Sequence, residues 1–90
     1  MKYELQAKYD SRKGFYKKAH VEEENGVITL ISYSSQVARV RNGMFEINSS
    51  ISKDLLYSQT TLRHIREFYK QFVSFDIISK KDLQSFETKF

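Results

Sequence analysis

Two Asn-Gly dipeptides, Asn25-Gly26 and Asn42-Gly43, stand seventeen residues apart and constrain the fold more than any other feature of the chain. Asn-Gly fills both left-handed positions of a two-residue type I′ turn, so each pair predicts an antiparallel hairpin around it. Val27-Ile28-Thr29-Leu30-Ile31 follows the first pair, apolar on both parities and β-branched, which predicts a central strand covered on both faces or nearly so. Ser32 to Ser35 is polar and marks a bend or a bulge, after which Gln36 to Arg41 reads as extended. Beyond the second pair, Phe45 and Ile47 fall on one face of a further strand. Upstream, Phe15 to Glu23 is extended, and Met1, Tyr3, Leu5, Ala7 and Tyr9 alternate with polar residues as a half-buried strand does. Asp10 to Gly14 interrupts the two with turn chemistry. With no proline in the chain, nothing breaks this antiparallel meander.

The C-terminal half changes period. Ser58 is positioned to cap a helix, with Thr60 as the competing cap, while Tyr57 and Leu62 have the spacing of a hydrophobic staple. Leu62, Ile65, Phe68, Tyr69, Phe72 and Val73 then recur at intervals of three and four, predicting a helix over 58–74 that lies on the sheet, with Arg63, Arg66, Glu67 and Lys70 outside its apolar face. Phe75 to Ile78 reads as a short extended return. Ser79 with Asp82 repeats the capping pattern, and Ile78 with Leu83 the staple, for a second helix over 79–89 with a narrow stripe of Leu83, Phe86 and Phe90. The expected architecture is one α+β domain over 1–90. It has an antiparallel meander sheet of about four to five short strands within 1–48, a linker over 49–57, and one long and one short C-terminal helix packed on the sheet. A chain of this size buries roughly 60–65% of its unfolded surface, so aromatics must supply much of the core, and seven Phe and six Tyr are present.

Chemistry-bearing residues are sparse. The absence of Cys excludes disulfides, thiolate metal sites and Cys nucleophiles. His20 and His64 are the only imidazoles; His64 and Glu67 lie three apart on one helix, but no His-Glu-x-x-His spacing accompanies them. The hydroxyls of Ser58, Thr60 and Thr61 beside His64 are accounted for by capping. No catalytic, cofactor or metal site is expected. Charge is more informative. The net charge is +4, which favours acidic partners, and it is segregated: Lys8, Arg12, Lys13, Lys17 and Lys18 precede an acidic Glu22-Glu23-Glu24 run. The basic loop, with Tyr9 and Tyr16 as stacking faces, is a candidate for nucleic-acid contact. Against this, alternation sends Tyr9 and one of Phe15 or Tyr16 into the core and leaves a solvated charge run. Arg63, Arg66 and Lys70 form a second basic stripe, in which Arg63 can pair with Glu67. Lys80 and Lys81 oppose the dipole of the last helix at its first turn, so their placement suits a partner's acidic surface or plain exposure. No apolar run reaches the ~18 residues of a membrane span, and the start lacks a signal-peptide apolar region. A soluble, uncleaved cytoplasmic chain is the expectation.

Three segments together carry a resemblance: Asp10-Ser11-Arg12-Lys13-Gly14-Phe15-Tyr16-Lys17-Lys18-Ala19, Leu30-Ile31-Ser32-Tyr33-Ser34-Ser35-Gln36-Val37-Ala38, and Tyr57 to Phe68, YSQTTLRHIREF. They resemble a domain-of-unknown-function family of small proteins carried by phages, prophages, plasmids and conjugative elements of Gram-positive bacteria. The resemblance implies a genomic context. By analogy it implies a non-enzymatic accessory protein that binds a host defence protein or its nucleic-acid complex, such as an anti-CRISPR or other anti-defence inhibitor. The alternative is a small basic module that contacts DNA or RNA directly through Arg12, Lys13, Lys17, Lys18, Arg63 and Arg66. Its positive charge is the opposite of what an acidic DNA mimic needs.

Overall fold

The structure is a computed structural model that describes residues 1–10 and 14–90. Five strands, β1 (Lys2–Glu4), β2 (Ala19–Glu24), β3 (Val27–Ser32), β4 (Ser35–Arg41) and β5 (Met44–Asn48), lie side by side in the order in which the chain makes them. All four pairings among them are antiparallel. Both Asn-Gly pairs turn as the sequence predicts, with positive φ at Asn25 (53°), Gly26 (79°), Asn42 (54°) and Gly43 (74°). The polar stretch after β3 holds a turn, and a bulge follows beyond it, within β4. Tyr33-Ser34 links Ser32 to Ser35, and between Leu30↔Ala38 and Ile31↔Gln36 the register skips Val37.

The sheet has six strands, one or two more than the sequence suggests. The sixth, β6 (Glu87–Thr88), runs parallel to β5, with Ile47 opposite Glu87. A parallel neighbour requires a long crossover, and the three helices provide it. Two residues are too few for alternation to be read, and the sequence predicts them inside the second helix over 79–89, an expectation this strand corrects. Within 49–57, read as a linker, α1 (Lys53–Leu56) makes one helical turn capped by Ser52. The main helix, α2 (Gln59–Phe72), begins as predicted, with the Thr61 N–H donating to the Ser58 hydroxyl at 3.3 Å. The last helix, α3 (Lys80–Gln84), is capped by Ser79 as predicted but stops far short of residue 89, because the chain leaves it to enter the sheet. Phe75 to Ile78 forms no strand; Ile78 is buried, whereas Phe75 and Ile77 are exposed.

Period-2 alternation sends Ala19, Val21, Leu30, Ala38, Phe45 and Ile47 to one face, where they meet Ile65 and Phe68 of α2 in the core. Phe45 anchors this layer, with Tyr69 and Phe86 edge-on to its ring at 5.1 and 5.3 Å. On the opposite face Arg39 and Arg41 donate to Glu46 at 2.7 and 3.2 Å, and the Arg39 guanidinium lies 4.0 Å above the Phe90 ring. The hydrogen bond from Arg39 is the main reason the Glu46 carboxyl titrates below the usual range. His64 of α2 touches the end of β3 and Tyr69 touches the start of β5. The long helix therefore runs along the sheet from the Tyr33-Ser34 turn towards Asn42-Gly43.

Candidate functional site

Because the strands are antiparallel, the turns alternate between the two ends of the sheet. Asn25-Gly26 and Asn42-Gly43 share one end; Tyr33-Ser34 and the approach to β2 share the other. In that approach Phe15 enters the core and Tyr16 projects outward, 86% exposed. The Lys18 N–H closes a tight turn on the Phe15 carbonyl at 2.9 Å, with φ of 51° at Tyr16 and 61° at Lys17. This is the left-handed pair of a type I′ turn built without Asn or Gly. Its neighbour is attached to it, the Tyr33 N–H donating to the Lys18 carbonyl at 2.6 Å. Tyr33 has φ of 58° and is 50% exposed, its ring leaning on the His64 imidazole at 6.1 Å. Positive φ at the first central position alone, as in a type II′ hairpin turn, ordinarily belongs to Gly. A bulky residue there is strained by about 1–3 kcal/mol.

One flank of α2 holds this end in place. Glu67, 2% exposed, accepts the backbone N–H groups of Tyr9 and Asp10 on one carboxylate oxygen, each at 2.9 Å. Gln71 donates to its other oxygen at 2.6 Å and also to the Gln6 carbonyl at 2.7 Å. Arg63 closes a two-nitrogen ion pair on Asp10 at 3.1 and 3.3 Å and lies 4.9 Å from the Phe15 ring. His64, 1% exposed, packs edge-on against Phe15 at 4.9 Å and shares a 2.8 Å hydrogen bond between its Nδ1 and the Ser32 hydroxyl. Burial, followed by the Arg63 charge, lowers the imidazole pKa to about 4, against a smaller opposing effect of Asp10. It is a neutral ring at pH 7. Ser32 is buried as well, so the Ser–His pair joins α2 to β3 inside the fold. The segments Asp10–Ala19, Leu30–Ala38 and Tyr57–Phe68 thus meet at one place, through Asp10 and Phe15, Ser32 and Tyr33, and Arg63 and His64.

This geometry revises the expected surface chemistry of the helix. Glu67 binds the backbone at residues 9–10, so the Arg63–Glu67 pairing gives way to Arg63–Asp10, and His64 and Glu67 leave the outer face altogether. Arg66 is also engaged, donating its Nε–H to the Ile78 carbonyl at 3.1 Å. Gln59, Thr60, Leu62, Arg63 and Arg66 line an open cleft of about 300 Å³ on this side of α2. Lys70 is half-buried in the last turn of α2. Lys80 has a local partner, its ammonium 5.5 Å from the centre of the Tyr57 ring, while Lys81 is exposed. Tyr9 is exposed rather than in the core, and its ring meets Phe75 edge-on at 5.3 Å. Lys17 and Lys18 are exposed beside Tyr16, whereas Arg12 and Lys13 lie outside the described residues. Tyr33 was not among the sequence candidates. The signal for it was a tyrosine heading a two-residue polar turn, which its polar neighbours disguise as an ordinary bend.

Among the described residues, no group of three or more His, Cys, Asp or Glu is placed to hold a metal ion, and no helix is long and apolar enough to cross a membrane. The family model described as a family of unknown function, DUF8033, matches residues 3–85, and the chain belongs to this family. No curated protein and no solved structure matches it.

Proposed function

We propose that this member of the DUF8033 family is a non-enzymatic binding protein of a mobile genetic element. On this reading it works in the cytoplasm of a Gram-positive host by occupying a surface of a defence protein or its nucleic-acid complex, with CRISPR effector nucleases as first candidates. The observation that carries the reading is the end of the sheet bearing Tyr16, Lys17, Lys18 and Tyr33. Three of these four residues hold left-handed backbone, and all four are exposed. Strain of this kind persists where a side chain is needed at that position, which makes the outlier a pointer to function. The positive net charge favours an acidic partner, and a nucleoprotein offers one. Arg63, a candidate for direct contact in the sequence, supports the reading differently, by holding Asp10 and packing on Phe15 next to the tyrosine turns, while Arg66 holds the Ile78 carbonyl.

The test is co-expression in a bacterium whose CRISPR system targets a resident plasmid, together with co-elution of the purified chain with assembled effector complexes. Restored plasmid maintenance and co-elution, both lost on changing Tyr16 and Tyr33 to Ala, are the expected result. No protection against any defence system tested and no co-elution would overturn the reading.

A further inference from the structure

The turns at the opposite end of the sheet show what this chain uses where it only has to turn: Asn25-Gly26 and Asn42-Gly43, residues that adopt positive φ readily. At the near end the same kind of backbone carries Tyr16-Lys17 and Tyr33. Two tyrosines have therefore been placed where they strain the chain, one 86% exposed and one 50% exposed. The hydrogen bond from the Tyr33 N–H to the Lys18 carbonyl fixes the two turns to each other. By backbone reach alone the Cα atoms of Tyr16 and Tyr33 are at most about 14 Å apart. Lys17 and Lys18 are exposed between them.

Resting on the binding reading above and deepening it, we infer that this end takes single-stranded nucleic acid, with bases stacking on Tyr16 and Tyr33 and phosphates neutralised by Lys17 and Lys18. Two alternatives fit less well. A duplex keeps its bases stacked on one another and would use the lysines while leaving the rings idle. An acidic peptide would likewise reward the lysines without requiring aromatic side chains in left-handed turns. Unpaired bases present faces that any exposed ring can accept, and the combination of open aromatic rings with adjacent cations is the usual composition of a sequence-tolerant single-strand site. Tyr33 is supported from behind by His64 at 6.1 Å, so its ring is braced before any ligand arrives.

Fluorescence anisotropy at low salt with labelled twelve-nucleotide DNA and RNA strands, the matching duplex and a Glu-rich peptide tests this on the full chain. The single strands are expected to bind most tightly. Tyr16→Ala and Tyr33→Ala should each weaken them by between about five- and 150-fold, in line with the known worth of one base–aromatic stack. Lys17→Ala and Lys18→Ala should each flatten the logarithmic salt dependence by about 0.7. The double variant Y16N/K17G keeps the turn by restoring its preferred residues, so loss of binding there cannot be blamed on misfolding. Absence of single-strand binding, equal binding of duplex or peptide, or tyrosine variants that bind like the parent would each overturn the inference. Co-elution with an effector complex but no oligonucleotide binding would overturn it while leaving the broader reading intact. Oligonucleotide binding without defence inhibition would sustain it while removing that reading.

Discussion

At one end of the sheet the chain reverses through Asn25-Gly26 and Asn42-Gly43; at the other it reverses through Tyr16-Lys17 and Tyr33-Ser34. The backbone problem is similar, since positive φ is required at both ends, but the solutions differ. The Asn-Gly turns carry residues suited to that backbone and hold themselves. The tyrosine turns lean on α2: Arg63 and His64 touch Phe15, Ser32 and Tyr33, while Glu67 and Gln71 anchor the incoming chain at Gln6, Tyr9 and Asp10. The difference teaches that residues with catalytic character can be structural when they lie beside a strained element, and that the strained element is then the better functional candidate.

The sharpest way to break this comparison is to remove the support. Glu67→Ala leaves the Tyr9 and Asp10 N–H groups and the Gln71 amide without their acceptor, at a cost of about 2–4 kcal/mol in urea unfolding. Hydrogen exchange should show amides at 15–20 and 31–33 losing protection before those at 25–28 and 40–44. Uniform loss would mean that the two ends are not independently held.

Acid acts on the same support. The folded-state pKa of His64 is about 4 against an ordinary 6.5, so the unfolded chain binds the proton more readily. Stability should be level above pH 6.5 and fall as the pH drops from 6.5 towards 4, by on the order of 3 kcal/mol in all. The Glu46 contribution, whose folded pKa is lowered below 4.5, is lost only at more acid pH. Urea titrations across this range should show the decline, and His64→Asn should flatten its upper part. A slope that survives that substitution would assign the acid sensitivity to other groups.

Smaller effects of opposite sign are expected at the turns themselves. A Cβ at Gly26 or Gly43 would meet nothing within 4 Å, so Gly26→Ala or Gly43→Ala costs only backbone strain, about 1 kcal/mol each. Y16N/K17G should instead gain about 1 kcal/mol, visible as a Tm raised by roughly 4–8 °C for a domain of this size. A neutral glycine substitution, or a destabilised double variant, would remove the contrast between the ends.

Legibility followed the range of the interactions involved. Asn-Gly turns, the Ser58 and Ser79 caps and the apolar stripe of α2 are encoded within a few neighbouring residues, and each is where the sequence predicts it, except that Val73 caps the helix end and is exposed. The bulge that skips Val37 was legible only as an irregularity near Ser32. The candidate site was half legible. Lys17, Lys18 and Tyr16 stand out as a basic aromatic segment, but alternation cannot decide whether Phe15 or Tyr16 is buried, and the one local signal for Tyr33, a tyrosine heading a two-residue turn, is hidden among polar neighbours.

By itself, then, the sequence determined an α+β domain with two hairpins, a capped amphipathic helix lying on the sheet, and a surplus of positive charge. Each follows from local backbone preference, side-chain period or composition. Only the tertiary structure decided that β6 pairs in parallel with β5, that Glu67 and His64 point inward, that Arg63 belongs to Asp10 and Arg66 to the Ile78 carbonyl, and that two tyrosines share one end. The physical reason is sequence separation. The bonds from Tyr9 and Asp10 to Glu67 span 58 and 57 residues and that of Arg63 to Asp10 spans 53, and no periodicity in the chain records which partner a polar side chain meets when distant segments fold together.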